Sequence, residues 1–197
     1  MRISSLTTLM LVPFFTAACT STAPISITSD HIESLIEKYP FGQIRESGTI
    51  ASFVQWNDEY AVTARHAGNL SNSVFECDTG CDLQFIKHTA QQSVRSWRNA
   101  KEREPVTLMG LNPNGVPVAS TGRDLSVSAS LGRSEGYIYR ATSAKALPGM
   151  SGGPVYGNDG QVIGMSIATY TLGHGRQSLY LPYAVIAEQW KHFKSAR

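Results

Sequence analysis

Seven consecutive residues, Pro148-Gly149-Met150-Ser151-Gly152-Gly153-Pro154, set one hydroxyl inside a run of glycine. A serine hydroxyl becomes a useful nucleophile only when a neighbouring base removes its proton. Ser151 is the candidate nucleophile of this run. Gly149 has no Cβ, so its backbone can turn an N–H toward the site. Together with the N–H of Ser151 it makes a candidate pair of donors for the oxyanion of a tetrahedral intermediate. Gly152 and Gly153 let a strand or a substrate chain pass close by. Glycine, serine and proline also build ordinary turns, so the chemistry needs a second segment.

That segment is Tyr60-Ala61-Val62-Thr63-Ala64-Arg65-His66-Ala67-Gly68, an apolar strand that ends in a small-residue turn carrying a histidine. A neutral imidazole, with an ordinary pKa near ~6.5, is the natural partner of a serine hydroxyl at neutral pH. The third group needed is a carboxylate that holds the tautomer and orientation of the imidazole. Two lie near in sequence: Asp82, which opens the alternating run Asp82-Leu83-Gln84-Phe85-Ile86-Lys87, and Asp78, in the turn Asp78-Thr79-Gly80.

In this order the three segments resemble the trypsin/chymotrypsin-like serine peptidases, which carry a TAAHC-type turn, a D-[IL]-x-x-[IL] strand and a GxSGGP loop. The resemblance extends from about Gly48 to Phe193, with the specific identities in the three segments. It implies an endopeptidase in which His66 is the general base, Asp82 the orienting carboxylate and Ser151 the nucleophile of an acyl-enzyme mechanism, with Gly149 and Ser151 as the oxyanion hole. It implies a polypeptide substrate lying against Ile167-Ala168-Thr169 and adding a strand to a sheet edge, and no cofactor or metal. Lys145, six positions before Ser151, falls where the family places the base of its specificity pocket. A cation there would favour an acidic residue before the scissile bond, and a solvent-facing Lys145 is the alternative. His174 falls near the wall of that pocket. His66 and Asp82 are sixteen positions apart, closer than in trypsin itself, with Asp78 as the rival carboxylate; Asp124 fits worse, being too near Ser151 to leave room for the early strands of a second barrel. Met150 occupies the place of the acidic residue that trypsin-like zymogens use on activation. Two other readings use the same scaffold: a catalytically idle fold acting as a binding protein of the cell envelope, and an esterase or transferase with the same acyl chemistry.

The elements that must hold these residues read as many short strands punctuated by glycine and proline. Strands are predicted at 47–54, 59–64, 73–77, 81–88, 105–111, 116–119, 124–131, 135–142, 154–156, 162–170 and 178–183, with amphipathic helices at 29–38 and 184–193. The fold class expected is all-β, a double β-barrel of the trypsin/chymotrypsin type with a short N-terminal helix and a C-terminal helix. Residues 29–104 would form the N-terminal helix and first barrel, with His66 and Asp82, and 105–197 the second barrel, with Ser151, and the terminal helix.

The chain has 197 residues, 42% of them hydrophobic and 16% charged, enough to bury a core. A net charge of +2 argues against nucleic acid as the partner. The basic cluster Arg95, Arg98, Lys101 and Arg103, interleaved with Trp97, Glu102 and Glu104, reads as a solvated connector between barrels. Residues 1–18 form a signal peptide: Arg2, an apolar run over Leu6–Phe15, then Thr16-Ala17-Ala18. Cys19 resembles a bacterial lipobox cysteine, which implies lipidation, a tether over 19–28 and, with Thr20 rather than Asp following it, an outer-membrane lipoprotein facing the periplasm; ordinary cleavage after Ala18, giving a periplasmic or secreted protein, is the alternative. The membrane is then touched only through that anchor. Cys77 and Cys81 remain as a pair flanking a three-residue turn, and a disulfide there would pin the hairpin before Asp82. The rivals are two free thiols, or a metal site with His88, for which this is a poor ligand set.

Overall fold

A computed structural model describes residues 41–46, 48–77, 81–130, 139–172 and 175–197. The expected signal peptide, Cys19, the expected tether and helix at 29–38, Asp78 and His174 lie outside the described residues. The first sheet contains β1 (Phe41–Glu46), β2 (Thr49–Gln55), β3 (Tyr60–Thr63), β4 (Ser73–Glu76) and β5 (Gln84–Lys87), all antiparallel, in the order β1-β2-β3-β5-β4. β2 turns into β3 through Asn57, whose Oδ1 accepts the N–H groups of Glu59 and Tyr60 at 2.9 and 3.0 Å. An asparagine side chain that mimics a backbone acceptor is a turn-former for this reason. Among the described residues no ladder joins β1 to β4, so this first barrel is an open five-stranded sheet.

The second sheet closes. Its strands are β6 (Pro105–Leu111), β7 (Pro117–Ala129), β8 (Tyr139–Thr142), β9 (Pro154–Gly157), β10 (Val162–Leu172) and β11 (Gly175–Pro182), paired around the ring β10-β11-β8-β7-β6-β9. The helix α1 (Tyr183–Ser195) follows directly. The architecture is the all-β, two-barrel one with a C-terminal helix that the sequence predicts.

Three details differ from the sequence expectation. β1 is an edge strand where none is predicted, because its polar alternation carries no strong apolar face. The strands predicted at 116–119 and 124–131 are one thirteen-residue strand, β7. Gly122, between those two stretches, is a close approach: a Cβ there would lie 2.2 Å from the backbone nitrogen of Ala144. The chain bends farther on, where the β7–β8 register shifts between Asp124 and Ser128 and Ser126 takes a positive φ of 53°.

The third difference is the connector, which is not merely solvated. Arg98 has a side chain only 16% exposed and makes a bidentate pair with the buried Glu104 at 2.7 and 2.8 Å. It also grips Asp159 in the β9–β10 turn, with both bonds at 2.8 Å. Its neighbour Trp97 forms a parallel bridge to Val162 and donates its indole N–H to Gln55 O at 3.2 Å. Lys101 and Arg103 are exposed, as a solvated stretch requires.

The main core runs through both sheets: Val54, Val62 and Phe85 from the first meet Met109, Met165 and Leu179 from the second, with Ile186 of α1. α1 packs its rings back on the first sheet, with Trp190 centred 5.1 Å from Phe85 and 5.2 Å from Tyr60. Trp56 lies 4.9 Å from Trp97. Connector, first sheet and terminal helix therefore share one aromatic cluster.

Candidate active site

His66 stands in a single 3₁₀ turn, Arg65–Ala67, at the end of β3. Two bonds close the turn, Ala67 N–H to Ala64 O and Gly68 N–H to Arg65 O. Beneath it the fully buried Gln84 of β5 donates its amide to both Ala64 O and Gly68 O, at 3.1 and 3.2 Å. One side chain thus spans both ends of the histidine turn.

Asp82 reaches His66 twice. Its Oδ1 accepts the His66 backbone N–H at 2.8 Å, and its Oδ2 lies 2.5 Å from Nδ1. This leaves Nε2 as the imidazole atom able to exchange a proton with another group. The hydrogen bond to Asp82 pushes the His66 imidazole above its ordinary 6.5, against the opposing effect of partial burial. Asp82 is itself the centre of a tight turn, with Leu83 N–H bonded to Cys81 O at 3.0 Å. Immediately before it Cys77 and Cys81 are joined in a disulfide. These sulfurs are therefore neither free thiols nor metal ligands. From the other barrel the buried Tyr139 of β8 accepts the Asp82 N–H on its hydroxyl at 3.0 Å. Burial, with the Asp82 charge nearby, holds this phenol above its usual value, so it stays protonated. Asp124, set aside on sequence grounds, is engaged elsewhere, paired with Arg140 and accepting from Tyr180 OH at 2.8 Å.

Ser151 follows a turn over Leu147–Met150, closed by Met150 N–H to Leu147 O at 3.0 Å. Proline second, glycine third and a φ of +89° at Gly149 make this a type II turn. No other residue fits at Gly149, where a Cβ would lie 2.4 Å from Leu111 O. Met150 is fully buried among Val106, Leu108, Ala144, Val155, Ile163 and Tyr180. Among the described residues neither the Gly149 N–H nor the Ser151 N–H has a protein acceptor. The Ser151 hydroxyl donates to Ile167 O at 2.9 Å, and no bond between it and His66 is present. Hydrogen bonds of this kind are often unformed before substrate arrives.

His66 and Ser151 line the same cavity of about 680 Å³. Ile167, Ala168 and Thr169 form one wall and Ser143–Pro148, with Lys145, the other. Thr169 bridges the two walls, donating its hydroxyl to Ala146 O at 3.2 Å. Ser178, which also lines the cavity, accepts the Ala146 N–H on its hydroxyl at 2.7 Å. Lys145 is an exposed residue whose backbone N–H is bonded to Ser120 Oγ at 2.8 Å.

The family model of the trypsin-like peptidase domain matches residues 49–165, more than half of the chain. The chain belongs to that family. Its fold is similar to that of several proteases. The Rv3671c protease from M. tuberculosis in its active form matches with a TM-score of 0.68 at 15% identity, over 94% of this chain and 92% of that one. The serine endoprotease from Yersinia pestis matches at 0.63 and 19% identity, over 85% and 67% of the two chains. The MamO protease domain from Magnetospirillum magneticum matches at 0.60 and 18%, over 76% and 94%. Among curated proteins none matches.

Within this trypsin-like peptidase domain, sequence reasoning misses three residues that hold the site: Gln84 under the histidine turn, Tyr139 behind Asp82, and Ser52 of β2 against the serine loop. Each makes its contact across tens of residues, and no local pattern announces it. The alternation around Gln84 gives no signal of its burial, since it places Gln84 on the face opposite Leu83 and Phe85.

Proposed function

We propose that this trypsin-like peptidase domain is a serine endopeptidase in which His66, Asp82 and Ser151 act in sequence. The observation that carries the reading is the doubly bonded His66–Asp82 pair on the cavity that Ser151 also lines, beside two N–H groups with no protein acceptor. Substrate entering along Ile167–Thr169 would take Ile167 O as an acceptor for its own N–H and displace the Ser151 hydroxyl toward His66 Nε2. Nε2 then removes the serine proton as Oγ bonds to the scissile carbonyl, and Asp82 stabilises the imidazolium. The Gly149 and Ser151 N–H groups receive the oxyanion. His66 returns its proton to the leaving amine, and water repeats the cycle on the acyl-enzyme. Lys145 lines the cavity as a candidate partner for an acidic side chain before the scissile bond. The idle-scaffold reading has no observation in its favour, since every group the chemistry needs is present.

The polypeptide acts, on this reading, outside the cytoplasm: residues 1–18 are removed, Cys19 is lipidated and the enzyme faces the periplasm from the outer membrane. The Cys77–Cys81 disulfide supports an oxidising compartment. Metabolic labelling with an alkyne fatty acid should mark the wild type and spare Cys19→Ser.

For the chemistry, a fluorophosphonate probe should label the wild-type protein and not Ser151→Ala. Casein hydrolysis should fall by about 10⁴- to 10⁶-fold in the variant. Equal labelling of the two proteins would overturn the reading.

A further inference from the structure

Ser52, in the middle of β2, is fully buried, and four of its contacts converge on the serine loop and its supports. Its N–H donates to Ser151 O at 2.8 Å. Its hydroxyl donates to Gly149 O at 2.8 Å and accepts the Leu111 N–H of β6 at 2.9 Å. Its carbonyl accepts the Thr63 hydroxyl at 2.7 Å. One residue of the first sheet therefore holds the carbonyl of each of the two residues whose N–H groups are directed at the oxyanion.

The direction of the hydroxyl bond follows from counting. A serine hydroxyl has one proton to give. Leu111 N–H occupies its acceptor side, so that proton goes to Gly149 O. The peptide between Gly149 and Met150 is then held at both ends, its oxygen by Ser52 and its N–H by Leu147 O. Pro148 fixes its own φ. Gly149 is thus the one loosely restrained link between them, and glycine alone would populate other conformations. Swinging the Pro148–Gly149 peptide over, as a type I turn requires, would replace the Gly149 N–H with a carbonyl. The fold makes room for the anchor: at Gly110 a Cβ would lie 2.8 Å from both Ser52 Oγ and Met150 Cα.

We propose that Ser52 is a positioning residue of the oxyanion hole, its buried hydroxyl tying the Leu147–Met150 turn to β2 and β6 so that the Gly149 N–H stays aimed at the reacting oxygen. The assignment rests on the peptidase reading above. It adds a residue that touches neither substrate nor the reacting atoms.

Ser52→Ala in the full chain tests it. The variant should fold, with the disulfide intact. It should react with a fluorophosphonate on the order of 10²-fold more slowly, as expected for a displaced oxyanion donor. On casein the loss should fall on kcat with KM little changed. The phosphonylated enzyme offers a signature that a merely structural role would not move. In the wild type the ³¹P resonance of the native adduct should differ from that of the unfolded adduct, because the phosphonyl oxygen receives the two N–H groups. In Ser52→Ala it should move toward the unfolded position. A folded Ser52→Ala with wild-type rate and wild-type ³¹P shift overturns the proposal. Should that variant not fold, Ser52→Cys decides. Its thiol donates weakly and at longer range, so it should react about 10-fold more slowly, and a wild-type rate overturns the proposal equally. A wild-type chain that takes no fluorophosphonate would overturn the peptidase reading, and this assignment with it.

Discussion

At the scale of single residues, the His66–Asp82 pair would, on the peptidase reading, tie activity and stability to pH in opposite senses. The base must be neutral to accept the serine proton, and the bond to Asp82 raises its pKa above 6.5. Turnover should therefore climb with pH through a midpoint above 6.5. In the unfolded chain His66 titrates near its ordinary ~6.5. The stabilisation from protonated His66 on Asp82 is then complete below that value and lost as pH rises through the higher folded pKa. Catalysis begins where this contribution ends. His88 runs the other way: burial lowers its pKa, so its contribution is present above ~6.5 and fades as pH falls toward the folded value. Asp82→Asn should cut turnover about 10⁴-fold through the wrong tautomer and move the midpoint of the remaining activity downward. A pH–rate profile of wild type and variant checks both, and an unmoved midpoint would remove Asp82 as the cause.

At the scale of elements, the carboxylate belongs to one barrel and its brace to the other. Tyr139→Phe deletes the acceptor of the Asp82 N–H and leaves that donor unpaired at the barrel interface, which should cost about 1–3 kcal/mol of stability. Denaturant unfolding measures the loss. Activity per folded molecule should fall as well, because the γ-type turn around Asp82 is then held from one side only. How much of this was legible in the sequence differs by element. The strand at 59–64 running into small residues marked the place of His66, and the glycine run marked Ser151, because both signals are local. The pairing of Cys77 with Cys81 was legible from their spacing and from the export expected of residues 1–18. β1 was not legible, since an edge strand with polar alternation resembles a loop. β7 read as two strands because residues 120–123 between them carry no apolar side chain to continue either pattern. Ser52, Gln84 and Tyr139 stayed silent for one reason: each acts on a partner that only the tertiary fold brings near.

At the scale of the whole molecule, the serine loop is anchored without a charged residue ahead of Ser151. Met150 is fully buried in the second barrel, its sulfur accepting the Leu147 N–H at 3.2 Å, and Ser52 ties the same loop to the first sheet. On the peptidase reading, this anchoring would order the turn without an ion pair from a newly freed N-terminus. Residues 20–197 carrying an uncleaved N-terminal tag should therefore take a fluorophosphonate at full rate. Labelling that arises only after limited proteolysis would show that a new N-terminus completes the site. The shared core supports the same view of one cooperative body, with residues of both sheets and α1 in a single cluster.

The aromatic contacts of α1 have a meaning in time. Trp190 and Phe193 cover Phe85 and Tyr60 of the first sheet, yet they are made after every strand of both sheets. A nascent chain that has emerged as far as Pro182 already holds His66, Asp82 and Ser151, but the sheet presenting the first two still exposes the face those rings will cover. The half synthesised first is finished last. Chains stopped at Pro182 should take no fluorophosphonate while full-length chains do, and labelling of the stopped chain would sink the idea. On the peptidase reading, the order of synthesis itself would then delay cutting: the site is assembled only once α1 has followed the second barrel.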